Sequence, residues 1–226
     1  MKRNVLVLGA SGALGSAMVD EFLASEPSEI YAPTRGELDL SLASSDDCAR
    51  FVRSLDIKNG LDALVYSAGI NFPKSVADFS EEELLKTIQT NTLGFFKVVQ
   101  ASLPFMKERS ARVVAISSIY GSISRGGRSA YSMSKAALEG AVRAMAVELA
   151  PDGILVNSVS PGFVMTPLTS QNNSPTQINE LIAQVPLGRL ANSSEIAKIV
   201  DFLIDQDRNS YITGQNITID GGFSIV

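Results

Sequence analysis

The sequence contains no histidine, no tryptophan and a single cysteine. Without histidine, a serine-histidine-aspartate triad and a histidine-ligated metal are both excluded, so acid-base chemistry must use tyrosine, lysine or a carboxylate. The single Cys48 cannot form a disulfide within the chain or a cysteine-rich zinc site, and we expect no metal site. Since Cys48 shares the apolar side of a predicted helix with Phe51, Val52 and Leu55, we interpret it as a buried structural thiol.

Positive charge is also scarce. The 19 lysines and arginines against 24 acidic residues give a net charge of -5, which argues against nucleic acid as a partner. The apolar runs have the length of strands, and Met1 to Asn4 leads directly into one of them, so we predict neither membrane insertion nor secretion and a cytoplasmic location. At 226 residues with 45% hydrophobic residues, the chain is expected to form one domain, residues 1–226, with a sizeable core.

A glycine-rich loop follows the first apolar run. Residues 4–9 are predicted to form a buried strand, and the sequence Gly-Ala-Ser-Gly-Ala-Leu-Gly at 9–15 leads into a helical pattern that continues to Ala24. A strand, a glycine turn and a helix in this order direct free backbone N-H groups and a helix N-terminus at a pyrophosphate. The pattern therefore predicts a dinucleotide site.

A tyrosine and a lysine at the start of an alanine-rich helix predict acid-base chemistry. Tyr131 and Lys135 stand four residues apart and share one helical face. A fixed ammonium favours the phenolate and lowers the tyrosine pKa from its usual ~10, so that the hydroxyl can exchange a proton with a carbonyl or an alcohol. Ser118 follows the apolar run 113–116, which places it at the carboxyl edge of a parallel sheet, where ligands bind. A core tyrosine is the alternative for Tyr131 taken alone.

Together these motifs resemble the short-chain dehydrogenase/reductase family over essentially the whole chain. The resemblance implies that Ser118, Tyr131 and Lys135 act together on a carbonyl/alcohol pair. It assigns Asn91, in the Asn-Thr-Leu-Gly sequence at 91–94, to completing the catalytic tetrad by holding a water beside the lysine. The contacts to the cofactor that the resemblance implies are Gly9, Ser11, Gly12, Leu14, Gly15, Arg35, Asp39, Leu40, Ala68, Gly69, Tyr131, Lys135, Pro161, Gly162, Val164 and Thr166.

Within that set, the resemblance places Asp39 and Leu40 beside the adenine, the backbone near Val164 at the nicotinamide amide and Thr166 at the phosphates. The chain departs from the family at Ser67, where an asparagine is usual. The family varies most in the substrate lid, which we expect at about 166–188, with a mobile loop at 169–174 that leads into a short helix.

The alternation of strands and helices predicts an α/β fold with a Rossmann-like, doubly wound parallel sheet in a single domain. One departure is expected near the second strand, predicted at residues 29–33. Too few residues separate this strand from Asp39 for a helical crossover, which needs about a dozen or more residues. The third strand is therefore predicted to be short or missing.

We predict NADP(H) ahead of NAD(H) as the cofactor. NAD preference generally needs a carboxylate at the end of the second strand, whereas Thr34 and Arg35 end it here, and a guanidinium matches a 2'-phosphate in charge and geometry. Two observations argue the other way. Gly12 occupies a position where many NADP-dependent relatives carry a basic residue, and Glu37 lies near enough to offer a carboxylate.

The activity implied by the resemblance is reversible hydride transfer between a nicotinamide and a carbonyl/alcohol pair. The pattern is most similar to 3-oxoacyl-carrier-protein reductases, for which Arg109 is a candidate contact to the carrier, although Asp152 stands where a second basic residue is common. A ketone, secondary-alcohol or sugar dehydrogenase is the alternative. A sugar-nucleotide epimerase usually needs a larger C-terminal region, and a non-catalytic nucleotide sensor would share the fold. We also expect a homodimer or homotetramer formed by the helices around 91–107 and 131–150.

Overall fold

The computed structural model describes residues 2–57, 59–172 and 174–226, which form an α/β structure around a parallel sheet. The six strands of this sheet lie in the order β2-β1-β3-β4-β5-β8, and two short strands, β6 and β7, pair separately. The strands are β1 (Arg3–Leu8), β2 (Ser28–Tyr31), β3 (Ala63–Tyr66), β4 (Arg112–Ile116), β5 (Leu155–Pro161), β6 (Val164–Met165), β7 (Ala191–Asn192) and β8 (Asn216–Ile219).

Helices connect the strands and cover both faces of the sheet. They are α1 (Ala13–Ser25), α2 (Ser45–Ser54), α3 (Glu81–Ile88), α4 (Gly94–Met106), α5 (Ser129–Leu149), α6 (Pro167–Asn172), α7 (Pro175–Ala183) and α8 (Ser193–Ile204). One apolar cluster joins the sheet to α2, α4 and α5, and another joins its opposite face to α1 and α8. The prediction of a doubly wound parallel sheet is confirmed. The central strands β1, β3 and β4 are buried throughout, as continuous apolar strands in such a sheet must be.

The missing third strand is also confirmed. Between β2 and α2 the chain runs through residues 32–44 in turns, and within the described ranges it adds no strand, so β2 forms the edge of the sheet. Buried side chains of Leu38, Leu40 and Ala43 nevertheless hold this segment against the core. The segment therefore keeps a defined position beside the end of β1 without the hydrogen bonds of a sheet.

Capping boxes begin several helices. The hydroxyls of Ser80 and Ser174 accept from the backbone three residues later, at Glu83 and Gln177. A π-helical turn at Gln89–Leu93, which contains Asn91, separates α3 from α4. In the predicted lid, α6 and α7 occupy most of 166–183, while Asn173 lies outside the described residues. Cys48 is fully buried, as predicted. Among the described residues, no helix is long and apolar enough to cross a lipid bilayer.

Candidate active site at the carboxyl edge of the sheet

The glycine loop packs directly on the end of the neighbouring strand. Gly9 has φ +83°, and a Cβ added there would lie 2.6 Å from the backbone nitrogen of Ala68. A Cβ on Gly15 would overlap the carbonyl oxygen of Gly9. These two positions form a cradle that only glycine allows, with the N-terminus of α1 above it. A cradle of this kind fits the pyrophosphate of a dinucleotide.

Beside the loop lies a cleft of about 220 Å³. It brings together eight of the predicted cofactor contacts, namely Gly9, Ser11, Gly12, Arg35, Asp39, Leu40, Ala68 and Gly69. Thr90 also lines the cleft, and its buried hydroxyl has no hydrogen-bond partner in the part of the chain that the structure describes. The sequence analysis missed Thr90, although its position next to Asn91 could have pointed to it. A buried hydroxyl without a partner, on a residue that lines the cleft, fits a polar ligand there.

Two charged side chains near the cleft differ in their contacts, because Glu37 is hydrogen-bonded within its own loop and Arg35 is exposed. The carboxylate of Glu37 turns back on its own loop and accepts from the backbone nitrogen and hydroxyl of Thr34, both at 2.8 Å. These hydrogen bonds hold the pKa of Glu37 below its usual value. Arg35 is 66% exposed, and its Nε lies 3.8 Å from Oδ2 of Asp39. The Asp39 carboxylate is itself held by Ser41, whose hydroxyl donates at 2.6 Å and lowers the pKa of the acid.

Asn91 lies in the interior within the π-helical turn. Its Nδ2 donates to the carbonyl of Ile70 and to the hydroxyl of Ser134, both at 2.9 Å, and its Oδ1 accepts from the Ile70 backbone at 2.8 Å. The side chain therefore fastens the loop after β3 to helix α5. The π turn permits this, because its extra residue changes the direction in which the side chain leaves the helix.

Lys135 meets Asn91 beneath that loop. A Cβ on Gly69 would lie 3.5 Å from Oδ1 of Asn91 and 3.6 Å from Nζ of Lys135, so the two side chains converge on the same backbone. The ammonium is buried, donates to the carbonyl of Ile116 at 2.7 Å and lies 5.7 Å from the ring centroid of Tyr131. Burial lowers the pKa of Lys135 to about 8, and the charge of Glu139 opposes this shift.

Ser118 and Tyr131 lie at the end of β4 and in the first turn of α5. Burial raises the pKa of the half-buried Tyr131, while the hydroxyl of Ser118 and the charge of Arg128 pull it down. Our prediction of a lowered tyrosine pKa is therefore wrong for this arrangement. The ammonium of Lys135 is directed at a backbone carbonyl and at the face of the tyrosine ring, so the cost of burying a phenolate dominates.

A buried carboxylate behind Lys135 is a second residue that the sequence analysis missed. Glu139 is 6% exposed and accepts from Ser117 at 2.7 Å and from Ser160 at 3.3 Å. It follows Lys135 by four residues, the same spacing that joins Tyr131 to Lys135. Applying the four-residue rule once more along the helix could have found it.

The remaining predicted contacts lie outside the cleft beside the glycine loop. A Cβ on Gly162 would lie 2.7 Å from Cβ of Asp220, so the segment after β5 packs on the end of β8. Thr166 caps α6 by accepting from the Thr169 backbone at 3.2 Å. The described lining of the cleft lacks the other predicted cofactor contacts, which are Leu14, Gly15, Tyr131, Lys135, Pro161, Gly162, Val164 and Thr166, and it also lacks the predicted catalytic residues Asn91 and Ser118.

A parallel sheet with a glycine cradle and a serine, tyrosine and lysine at its carboxyl edge defines a nucleotide-binding oxidoreductase of the Rossmann type. The chain belongs to the short-chain dehydrogenase/reductase family, because a profile of that family, described as enoyl-(acyl carrier protein) reductase, matches residues 7–224. It is similar to a 3-oxoacyl-[acyl-carrier-protein] reductase of Thermotoga maritima, with 36% identity over 189 residues that cover 82% of this chain and 76% of the relative. The chain is accordingly an NAD(P)-dependent oxidoreductase.

Solved structures agree with the family. The ligand-free aldohexose dehydrogenase of Thermoplasma acidophilum has a TM-score of 0.89 at 28% identity, over 100% of this chain and 95% of that chain. A structure described as ElxO with NADP bound has a TM-score of 0.90 at 26% identity, over 99% of both chains. The predicted family and fold are thus confirmed.

Proposed function

We propose that this protein is an NADP(H)-preferring carbonyl reductase that interconverts a ketone and a secondary alcohol. The observation that carries the proposal is the arrangement of Ser118, Tyr131 and Lys135 at one strand end, beside a glycine cradle that fits a dinucleotide. When bound, the cofactor supplies the hydride. The cradle and cleft residues assigned above would hold it, with Pro161, Gly162 and Val164 at its nicotinamide end and Thr166 at its phosphates.

In the proposed mechanism Tyr131 gives a proton to the carbonyl oxygen, and the hydroxyl of Ser118 donates a hydrogen bond to the same oxygen. Since burial raises the pKa of Tyr131, its hydroxyl carries a proton at neutral pH, which is the state that ketone reduction requires. The ammonium of Lys135 beside the ring stabilises the phenolate that remains. Asn91 holds the loop after β3 against helix α5 and so positions Lys135.

The contacts of Arg35 and Glu37 support NADP(H). Glu37 is committed to the turn at Thr34, whereas Arg35 stays exposed at the mouth of the cleft. A guanidinium in that place matches a 2'-phosphate, and the similarity to a structure with NADP bound points the same way. Asp39, which accepts from Ser41, then borders the adenine rather than the ribose.

A 3-oxoacyl thioester is the first substrate to test, since relatives of this chain are named for that reaction. The predicted carrier contact is engaged elsewhere, because Nη2 of Arg109 lies 2.6 Å from Oδ1 of the buried Asp62. Lys107 pairs with Asp152 at 3.0 Å. These ion pairs favour a small substrate over one delivered by a carrier protein. A sugar substrate is the second candidate, supported by the structural similarity to an aldohexose dehydrogenase.

We also propose a single domain over residues 1–226, with α6 and α7 as the substrate lid. A homodimer or homotetramer is proposed as the working form. Exposed apolar side chains on α4 and α5 support it, with Phe96 48%, Met133 49% and Val147 79% exposed. A surface of this kind is typical of an interface between subunits.

The decisive experiment substitutes Tyr131→Phe and uses Tyr211→Phe, at a 97% exposed tyrosine, as the matched control. Turnover is followed by the absorbance of reduced nicotinamide with a panel of 3-oxoacyl thioesters, ketones and sugars. Loss of a positioned proton donor should lower kcat by about 10²- to 10⁴-fold while cofactor binding, measured by fluorescence, changes little. The control should keep wild-type rates. If Tyr131→Phe retains most of its activity, the proposed assignment of the proton donor is wrong.

A further inference from the structure

The proposed reaction leaves a buried phenol next to Tyr131 unused. Tyr120 follows Ser118 by two residues, and its ring meets that of Tyr131 edge-on, with centroids 6.5 Å apart. The side chain is only 9% exposed, and within the described ranges its hydroxyl has no hydrogen-bond partner. A buried hydroxyl without a partner costs about 1–3 kcal/mol, so its presence at the edge of a reactive site indicates a group that binds there.

A guanidinium lies against the same ring. The Arg128 side chain is half-buried, with its central carbon 5.9 Å from the Tyr120 ring centroid. In the described part of the chain, no carboxylate lies within ion-pair distance of it. By contrast, the nearby cation Lys74 forms an ion pair with Glu83. Arg128 is thus a cation beside the reactive tyrosine with its donors available.

The backbone around this cation is fixed. The carbonyl of Arg128 accepts from the Ser132 backbone at 2.7 Å, which ties it to the first turn of α5. The preceding Gly127 accepts from the backbone of Lys74 at 3.2 Å, which joins the two loops that border the site. Because the charge of Arg128 also lowers the pKa of Tyr131, the guanidinium acts on the reactive hydroxyl as well as on the Tyr120 ring.

We propose that Arg128 and Tyr120 form an anion subsite, and that the substrate is a short oxo acid whose carboxylate they bind while its ketone reacts at Tyr131. A guanidinium fork and a phenol hydroxyl supply donors for both carboxylate oxygens. Because the ring centroids of Tyr120 and Tyr131 lie 6.5 Å apart, a substrate with only a few bonds between its carboxylate and its ketone can reach both residues. This inference rests on the carbonyl reductase function proposed above and narrows its substrate.

The test compares each oxo acid with its own neutral ester. Initial rates are measured for 2-oxobutanoate and 3-oxobutanoate, for their methyl esters, and for the N-acetylcysteamine thioester of 3-oxobutanoate, with NADPH and NADH. The wild type should show at least a tenfold higher kcat/KM for one free acid than for its ester. Arg128→Gln should lower the acid-to-ester ratio by about 10- to 100-fold, mainly through KM, since a hydrogen bond to a charged group has that value. Tyr120→Phe should lower the ratio by a smaller factor.

Arg125→Gln is the matched control, because Arg125 is an exposed cation of the same loop. It should leave the ratio unchanged. Butanoate, which carries the carboxylate without the ketone, should inhibit ester reduction competitively in the wild type and much less in Arg128→Gln. Arg128→Lys, which keeps the charge but loses the fork, should retain part of the preference and guards against a folding defect in the glutamine variant.

The outcomes separate this inference from the function on which it rests. If esters or thioesters are reduced in a Tyr131-dependent manner but the acids are no better, the anion subsite is refuted and the reductase function stands. The subsite is equally refuted if Arg128→Gln lowers acid and ester rates by the same factor. If wild-type protein turns over no member of either panel with either cofactor, the proposed function itself fails.

Discussion

Replacing Gly9 with alanine tests whether the backbone contacts in the glycine cradle require a glycine at this position. Gly9 follows β1 and has φ +83°, and an added Cβ would lie 2.6 Å from the nitrogen and 2.8 Å from Cα of Ala68. It would also lie 2.8 Å from the carbonyl carbon of Ser67. All three are backbone atoms, and the pairing of β1 with β3 keeps them in place.

The cost of Gly9→Ala can be worked out from these contacts. A left-handed backbone conformation costs an alanine about 1–2 kcal/mol. Relieving the overlap requires backbone shifts, for which about 1–3 kcal/mol is typical. The sum of about 2–5 kcal/mol is a large part of the stability of an ordinary domain, about 5–15 kcal/mol. Gly12→Ala is the matched control, since Gly12 has φ -78° and its Cβ would meet only the Gly9 carbonyl oxygen, at 3.4 Å.

The assay is urea unfolding followed by circular dichroism at one fixed protein concentration, because assembly would shift the apparent stability. Gly9→Ala should lower the free energy of unfolding by about 2–5 kcal/mol, and Gly12→Ala should change it by less than about 1 kcal/mol. The addition of NADP⁺ should stabilise the wild type more than Gly9→Ala. Equal stabilities for Gly9→Ala and the wild type, or equal losses in the two variants, would refute the reasoning.

The wild type should have a higher kcat/KM with NADPH than with NADH, and Arg35→Ala should reduce that advantage by about tenfold or more through the loss of a charged hydrogen bond. If Arg35→Ala leaves the ratio of kcat/KM with NADPH to kcat/KM with NADH unchanged, Arg35 does not determine the cofactor preference. Sedimentation velocity at micromolar concentration should show a dimer or tetramer, and Phe96→Glu, which places a charge on the exposed apolar surface of α4, should shift it toward the monomer. A 24.0 kDa species in the wild type would contradict the proposed assembly.

Local patterns predicted the fold because the features that define it are local. The burial of β1, β3 and β4 on both faces requires continuous apolar runs, which are visible in the sequence. The capping box at Ser80 needs residues three positions apart. The missing third strand was predictable for a different reason, since the number of residues between β2 and Asp39 sets a limit on what the chain can form there.

The chemistry of the site was less predictable because it depends on distances across the fold. Spacing placed Lys135 beside Tyr131, but the contact of its ammonium with the Ile116 carbonyl comes from the position of β4. Whether a nearby cation or burial dominates a pKa is decided by such contacts. The π turn at Asn91 and the unpartnered hydroxyl of Tyr120 likewise arise from packing between elements far apart in the chain.

Helix α5 carries three titratable groups of the site along one face. Tyr131, Lys135 and Glu139 follow one another at intervals of four residues, and Arg128 precedes them at its start. Burial raises the pKa of Tyr131 and leaves that of Lys135 at about 8, with Glu139 opposing a further fall. At neutral pH both groups therefore carry their protons, as reduction of a ketone requires. Oxidation of an alcohol needs the phenolate, and since Lys135 loses its proton near pH 8, before Tyr131 with its raised pKa, rising pH removes the ammonium before it produces the phenolate.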